Sequence, residues 1–289
     1  MEDRDISSPA VQRRRLRTEL RRARLEAGLT QEQVASAMEW SLSKLIRIEN
    51  GSVGISANDL KAVLLHYKIT DEARTAELLA LSRASRERSW WSKYGDTVSK
   101  GLIQLIEYEA DAYIARNFES FIVPGPLQTA DYARASITQL APQMPKSQVD
   151  TRVEIRTKRQ ELLLRPEAPL MFFIMDEAVV RRLVGDRDVM RGQLQRMIDA
   201  PEMPKVTVEI VPFSAGVVQG MQAPFVIYEF RDAADDDVLY QEVPGGGFLS
   251  RDNPDEILRF REAFERLREA SLGPKRSIDF LRELLRDLG

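Results

Sequence analysis

GLTQEQVASAMEWSLSKLIRIENG, residues 28–51, is the stretch from which the N-terminal fold can be read. Gly28 takes the left-handed conformation cheaply and so closes a preceding helix. Thr30 is placed to cap the next helix, and Gln33 returns the bond three residues later, a capping box. That helix runs to about Met38. A third begins near Ser41 and ends before Asn50-Gly51. Counted from Gln31, residues Val34, Ala35, Met38, Trp40, Leu45 and Ile48 fall where two crossing helices need apolar side chains, and Ala35 is small at the closest approach. Leu45 and Ile48, three apart, share one buried face. Two short helices on a tight turn predict a helix-turn-helix.

Outward from this core, VQRRRLRTELRRARLEA (11–27) carries Leu16, Leu20, Ala23 and Ala27 as one apolar stripe of a helix. Helices at 56–66 and 71–82 complete a five-helix bundle. The exposed face of the third helix holds Ser43, Lys44 and Arg47, with Ser41 and Leu42 at its start. A guanidinium can donate two parallel bonds to guanine, so Arg47 is the first candidate for base readout. Lys44 suits a base edge or a phosphate, Ser43 needs close approach, and Leu42 suits a thymine methyl. Ser41 is an N-cap first and a contact second. Gln31 opens the second helix, where free N–H groups favour phosphate. Arg13, Arg14, Arg15, Arg17, Arg21 and Arg22 supply positive field, Arg13 and Arg14 as phosphate contacts, although the same run also reads as an ordinary solvated helix face. Ile46 suits either the sugar-phosphate edge or a neighbouring subunit. Trp40 reads as core, and His66 as a satisfied structural histidine.

The segment 28–51 resembles the helix-turn-helix of the Cro and phage-repressor (XRE) class, and the similarity covers about residues 14–82. The resemblance implies that the third helix enters the major groove, that Gln31 clamps the DNA backbone, and that Asn50 acts likewise. It also implies that Arg24 and Glu49 pair across the bundle. The class usually places glycine in the turn where this chain has Glu39, so a non-glycine residue is expected at positive φ, at a cost of about 1 kcal/mol.

With 289 residues the chain is long enough for two domains, and its hydrophobic and charged fractions, 43% and 30%, are those of a globular protein. Residues 1–100 hold 18 Lys and Arg against 14 Asp and Glu, while the remainder holds 24 against 31. A basic front and an acidic back fit a DNA-binding module joined to something else. The sequence contains no cysteine and one histidine, His66, which excludes disulfides, thiolate metal sites and cysteine nucleophiles and argues against histidine-based zinc sites. Neither a secretory leader nor an 18-residue apolar run is present, so a cytoplasmic, nucleoid-associated protein is expected.

Residues 84–100 gather Trp90, Trp91 and Tyr94, a costly composition for a free linker, and predict a segment that docks the modules or seeds the second core. Beyond it, helices are expected at about 101–116, 126–140, 145–164, 177–184, 187–199, 254–271 and 275–288. Strands are expected at 170–176, 206–213, 225–230 and 238–243. Strands that follow one another without alternating helices predict an α+β domain with an antiparallel or mixed sheet. The division expected is a disordered N-terminal arm (1–12), a helix-turn-helix domain (13–83), an aromatic linker (84–100) and an α+β domain (101–289). Asp235–Asp237 read as a solvated hairpin turn, and PGGGF (244–248) as a turn needing free φ angles. Asp176 fits a helix N-cap, and Glu107 and Glu109 diverge on their helix, so no catalytic residue, cofactor or metal is expected.

A second resemblance rests on WW…Y (90–94), E107-x-E109, VPGPLQTADYAR (123–134), RQELL (159–163), MDEAVVRRLVG (175–185), QL (193–194), VPF-x-x-G (211–216) and Phe225. This order is similar to the C-terminal domain of actinobacterial, antitoxin-like (WhiJ-like) XRE regulators. Many of those carry leucine where Pro126 stands. The resemblance implies a transcription regulator whose partner is a small protein encoded by a neighbouring gene. A homodimer on a palindromic double-stranded operator is expected, because one helix-turn-helix reads one half-site. A one-component sensor of a small apolar molecule and an autoregulating antitoxin are the alternatives.

Overall fold

The computed structural model describes residues 9–50, 53–86, 90–94, 98–166, 168–231, 237–243, 246–250 and 253–288. It forms two compact units, Met1–Ser92 and Lys93–Gly289.

The first unit is helical: α1 (Pro9–Glu26), α2 (Gln31–Ala37), α3 (Leu42–Glu49), α4 (Ala57–His66) and α5 (Glu72–Ala84). Helix α1 starts inside the stretch expected as a disordered arm. Pro9 stands at its first position, where a missing N–H costs nothing, and residues 1–8 lie outside the described residues. Leu16, Leu20 and Ala23 of α1 close over Val34, Ala35, Leu45, Ile48, Leu60, Val63, Leu64 and Leu78. Met38 and Trp40 are partly buried against this core. Ala27 is exposed, because α1 ends one residue before it.

Local chemistry sets the helix ends. Thr30 and Gln33 form the expected capping box, and Ser41, Ser56 and Asp71 cap the next three helices. Helices α1, α2 and α4 finish in one motif: a residue at positive φ whose N–H bonds back three residues, followed by an N–H that bonds back five. The residues are Gly28 (φ 69°), Glu39 (φ 56°) and Lys68 (φ 60°). The long bonds run from Leu29 to Arg24, Trp40 to Ala35 and Ile69 to Leu64, at 2.8–3.1 Å. The turn therefore keeps its geometry with Glu39 in a position that favours glycine.

In the second unit, among the described residues, α6 (Lys100–Asp111), α7 (Ala130–Leu140), α8 (Lys146–Gln160), α9 (Glu177–Arg181), α10 (Arg187–Asp199), α11 (Pro254–Ala270) and α12 (Gly273–Asp287) surround one sheet. Its strands are β1 (Ile114–Glu119), β2 (Leu170–Asp176), β3 (Val206–Val211), β4 (Phe225–Glu229), β5 (Val238–Val243) and β6 (Gly246–Ser250), in the order β3-β2-β1-β4-β5-β6. β1, β2 and β3 run parallel; β4, β5 and β6 are antiparallel to their neighbours. The sheet is mixed, and the domain is α+β.

Two elements differ from the sequence reading. The helix expected to reach 116 stops at Asp111, and the chain from Ile114 is the strand β1. Gly246–Phe248, expected in a turn, belong to the edge strand β6, while Pro244 and Gly245 lie outside the described residues. Of the aspartate turn, only Asp237 is described, and it pairs with Arg261.

Period-2 alternation divides the sheet faces. Ala115, Phe173, Met175, Val208 and Tyr228 pack with Tyr132, Leu194, Met197 and Leu281. Phe118, Ile174, Ile227 and Leu239 pack on Ile257, Phe264 and Leu267 of α11. At the β3 edge, the Ile210 N–H donates to Ser277 Oγ and the Ile210 carbonyl accepts from the Leu272 N–H, both at 2.9 Å. These bonds occupy strand groups that would otherwise invite another chain.

Candidate nucleic-acid interface

Helix α3 buries Leu45, Ile48 and Glu49. The opposite side consists of two neighbouring ridges at i,i+4 spacing, Leu42 with Ile46 and Ser43 with Arg47, all exposed. Arg47 makes no ion pair among the described residues, so its fork of donors is open. Lys44 is more committed. Its Nζ lies 3.3 Å from Asp59 Oδ2 and 3.9 Å from the centre of the Trp40 ring. Ser41 Oγ accepts from the Lys44 N–H (3.2 Å), which leaves its hydroxyl hydrogen to donate outward.

Beneath this face lies a buried ionic network. Arg24 Nε and Nη2 meet Glu49 Oε1 and Oε2 at 2.7 and 3.1 Å, and Nη1 donates to the Leu29 carbonyl at 2.8 Å. Bonding to Glu49 raises the Arg24 pKa above its ordinary value. Burial pushes the nearby Tyr67 hydroxyl strongly upward, and the Glu49 charge adds to the shift. Gln31 Nε2 donates to Glu49 Oε2 at 2.8 Å. An amide nitrogen carries two hydrogens, and only one of them is used in this bond. The network joins the end of α1, the start of α2 and the end of α3.

The arginines of α1 divide by environment. Arg13 Nη2 donates to the Ser85 carbonyl (3.3 Å), Arg17 Nη1 to the Asn50 carbonyl (3.2 Å), and Arg22 pairs with Glu19 (2.6 Å). Asn50 itself is exposed. Arg14, assigned above to phosphate, is only 8% exposed. Its guanidinium is not presented to solvent, so it is not placed to hold a phosphate. Arg21, which the sequence offered only as part of a run, lines an open groove with Thr30 and Gln31 at the start of α2. His66 is not fully satisfied, since its Nε2 has no partner among the described residues.

The motif segments of the second unit also meet. Loop 123–129 is held from several sides. Val123 N–H donates to Tyr132 Oη (3.2 Å), and Gln128 Nε2 donates to the Val123 carbonyl (2.6 Å). Gln193 accepts from the Thr129 N–H (2.8 Å) and donates to the Leu127 carbonyl (2.9 Å). Gln160 donates to the Gln128 carbonyl, and Arg159 pairs with the buried Glu109 at 2.7 Å. Asp176 caps α9, and Glu177 bonds both Arg181 and the Phe213 N–H. Trp90 and Trp91, in the first unit, meet edge to face, and Tyr94 of the second donates to Glu154 at 2.6 Å.

A capped helix-turn-helix with an open polar face on its second helix defines a DNA-binding regulator. Residues 15–78 match a family model described as a helix-turn-helix domain. Residues 102–283, more than half of the chain, match the domain of unknown function DUF5753, and the chain belongs to that family. No curated protein and no solved structure matches the chain. Among the described residues, no helix is long and apolar enough to cross a membrane.

Proposed function

We propose that the chain is a sequence-specific transcription regulator of the XRE type that binds a palindromic operator as a homodimer. The observation that carries this reading is the exposed α3 ridge of Ser43 and Arg47, set on a buried Arg24–Glu49–Gln31 network. In the complex α3 enters the major groove, where Arg47 reads guanine and Ser43, Leu42 and Lys44 contact neighbouring positions. Gln31, Ser41, Asn50, Arg13 and Arg21 hold phosphates and fix the docking register.

Control passes through the second unit, by a small protein encoded beside the regulator. The similarity of its spaced motifs to antitoxin-like actinobacterial regulators supports this. The protein works by binding and not by catalysis, in the cytoplasm on the nucleoid. Three carboxylates of the motif segments are engaged in structure: Glu109 with Arg159, Asp176 in a cap, Glu177 with a backbone amide. Genome-wide mapping of bound DNA, with and without the small neighbour, tests the reading. Sharp peaks sharing a palindrome and altered by the neighbour are expected. No enrichment in either condition overturns it, and toxicity of the neighbour expressed alone would replace it with an antitoxin role.

A further inference from the structure

Strand register lays out the floor of a half-open pocket of about 90 Å³ in the second unit. Phe173 of β2, Asn117 of β1, Val226 of β4 and Tyr240 of β5 are register partners in turn, a row straight across four strands. Residues of such a row point to the same side of the sheet. All four line the pocket, and so does Tyr228, two residues along β4 on the same side. Asn117 therefore stands in the middle of a floor that is otherwise apolar or aromatic.

Asn117 is 7% exposed, and its side chain makes no hydrogen bond among the described residues. Its Oδ1 is buried away from any accessible space, so the edge of the amide that meets the pocket is Nδ2. That nitrogen carries two hydrogens and can only donate. Folded interiors pair such groups with few exceptions, so the missing partner is an acceptor. The guanidinium groups of the lining are donors as well, and both are already engaged. Arg156 Nη1 donates to Gln128 Oε1 at 2.7 Å, and Arg159 Nε to Glu109 Oε2 at 2.7 Å. Charge does not select an anion, because Glu109 and Glu119 of the lining balance Arg156 and Arg159.

The rim is built in advance. Loop 123–129 borders the pocket and is pinned by Tyr132, Gln160 and Gln193 as described above. A site held in its binding shape spends less of its affinity on ordering. One water needs at least about 10–15 Å³ of such space, so the pocket takes a molecule of roughly six heavy atoms.

We propose that this pocket binds a compact neutral carbonyl compound, whose oxygen accepts from Asn117 Nδ2 and whose apolar body lies on Phe173, Val226 and Tyr228. The acceptor oxygen distinguishes this ligand from the purely apolar effector expected of a sensor. The site is independent of the DNA-binding reading, because its test uses no DNA.

The probes are cyclopentanone, methylenecyclopentane and isobutyrate. The first two share a shape and differ in the acceptor oxygen, and the third is an anion of the same size. Saturation-transfer NMR on the full chain should show saturable binding of cyclopentanone, with the hydrocarbon at least about tenfold weaker and isobutyrate no tighter than the hydrocarbon. Asn117→Leu removes the donor and should bring the ketone down to the affinity of the hydrocarbon, while circular dichroism and Tm show a fold no less stable than the parent. Val226→Phe keeps Asn117 but fills the floor beside it, and should abolish binding of the ketone. Absence of saturable ketone binding overturns the proposal. So does a hydrocarbon that binds as well as the ketone, which makes the site purely apolar, or isobutyrate that binds more tightly, which makes it an anion site. Unchanged ketone affinity in folded Asn117→Leu or Val226→Phe would place the binding elsewhere, and the proposal falls.

Discussion

Substituting Glu39→Gly should stabilise the first unit, although it deletes a side chain. Glu39 sits at φ 56° in the turn between α2 and α3. The left-handed region costs a residue with a Cβ about 1–2 kcal/mol. Glycine escapes that cost but gives back roughly 0.4–1 kcal/mol through the freedom it gains in the unfolded chain. The Glu39 side chain is exposed, and the two closing bonds, from Glu39 to Ser36 and from Trp40 to Ala35, come from backbone alone. The net gain is therefore about 0.5–1 kcal/mol. In a helical unit of this size that raises Tm by about 4 °C. Gly28→Ala supplies the opposite sign from the same geometry. Its φ is 69°, and nothing lies within 4 Å of the added Cβ, so the backbone conformation alone sets the cost, again about 0.5–1 kcal/mol. Calorimetry on the full chain reads both variants against the parent. A fall in Tm for Glu39→Gly, or a rise for Gly28→Ala, would refute the reasoning, because closing bonds and local space are otherwise unchanged.

Arg47→Ala should relax base preference at one position of each half-site, at a cost of about 1–3 kcal/mol there; in-vitro selection that returned the parent motif at the parent affinity would remove Arg47 from readout. Glu49→Ala leaves Arg24 buried without its carboxylate, a loss of about 3–5 kcal/mol, which is most of the stability of a unit this small and should appear as a low, early thermal transition. Gln193→Leu strands the Thr129 N–H and the Leu127 carbonyl together, a cost of about 2–5 kcal/mol; an unchanged Tm would mean that the 123–129 loop is not held by this amide.

The first unit was legible because its signals are local. Thr30, Gln33, Ser41 and Gly28 act within four or five residues of themselves, and apolar spacing within one helix marks its buried side. The positive φ at Glu39 could be anticipated for the same reason. The fate of the α1 arginines could not. Arg14 and Thr18, four apart and both buried, lie on the side of α1 opposite to Leu16, Leu20 and Ala23. A single apolar stripe implies one buried face and says nothing of a second one closed over polar residues. Lys44 likewise looked as open as Arg47, since Asp59, which engages it, belongs to the next helix.

Strand β1 was hidden for a related reason, and it is the strand on which the second unit depends. It pairs with parallel β2 on one side and antiparallel β4 on the other, a place where a run of apolar residues is the usual mark. Instead it carries Arg116, Asn117 and Glu119. Arg116 is tolerated because partners from far along the chain reach it: Glu229 and Glu265 bond its guanidinium, and the rings of Phe172 and Phe264 lie 5.6 Å from it. Such compensation leaves no trace in a local window, so the helical pattern of α6 runs on through the strand by default. Asn117, beside it, lacks that compensation, for its oxygen is buried and has no hydrogen-bond partner among the described residues. A polar residue in a central strand is stable when the fold supplies its partner. Where the fold supplies none, the residue costs stability, and neither the cost nor its site is marked by the local pattern.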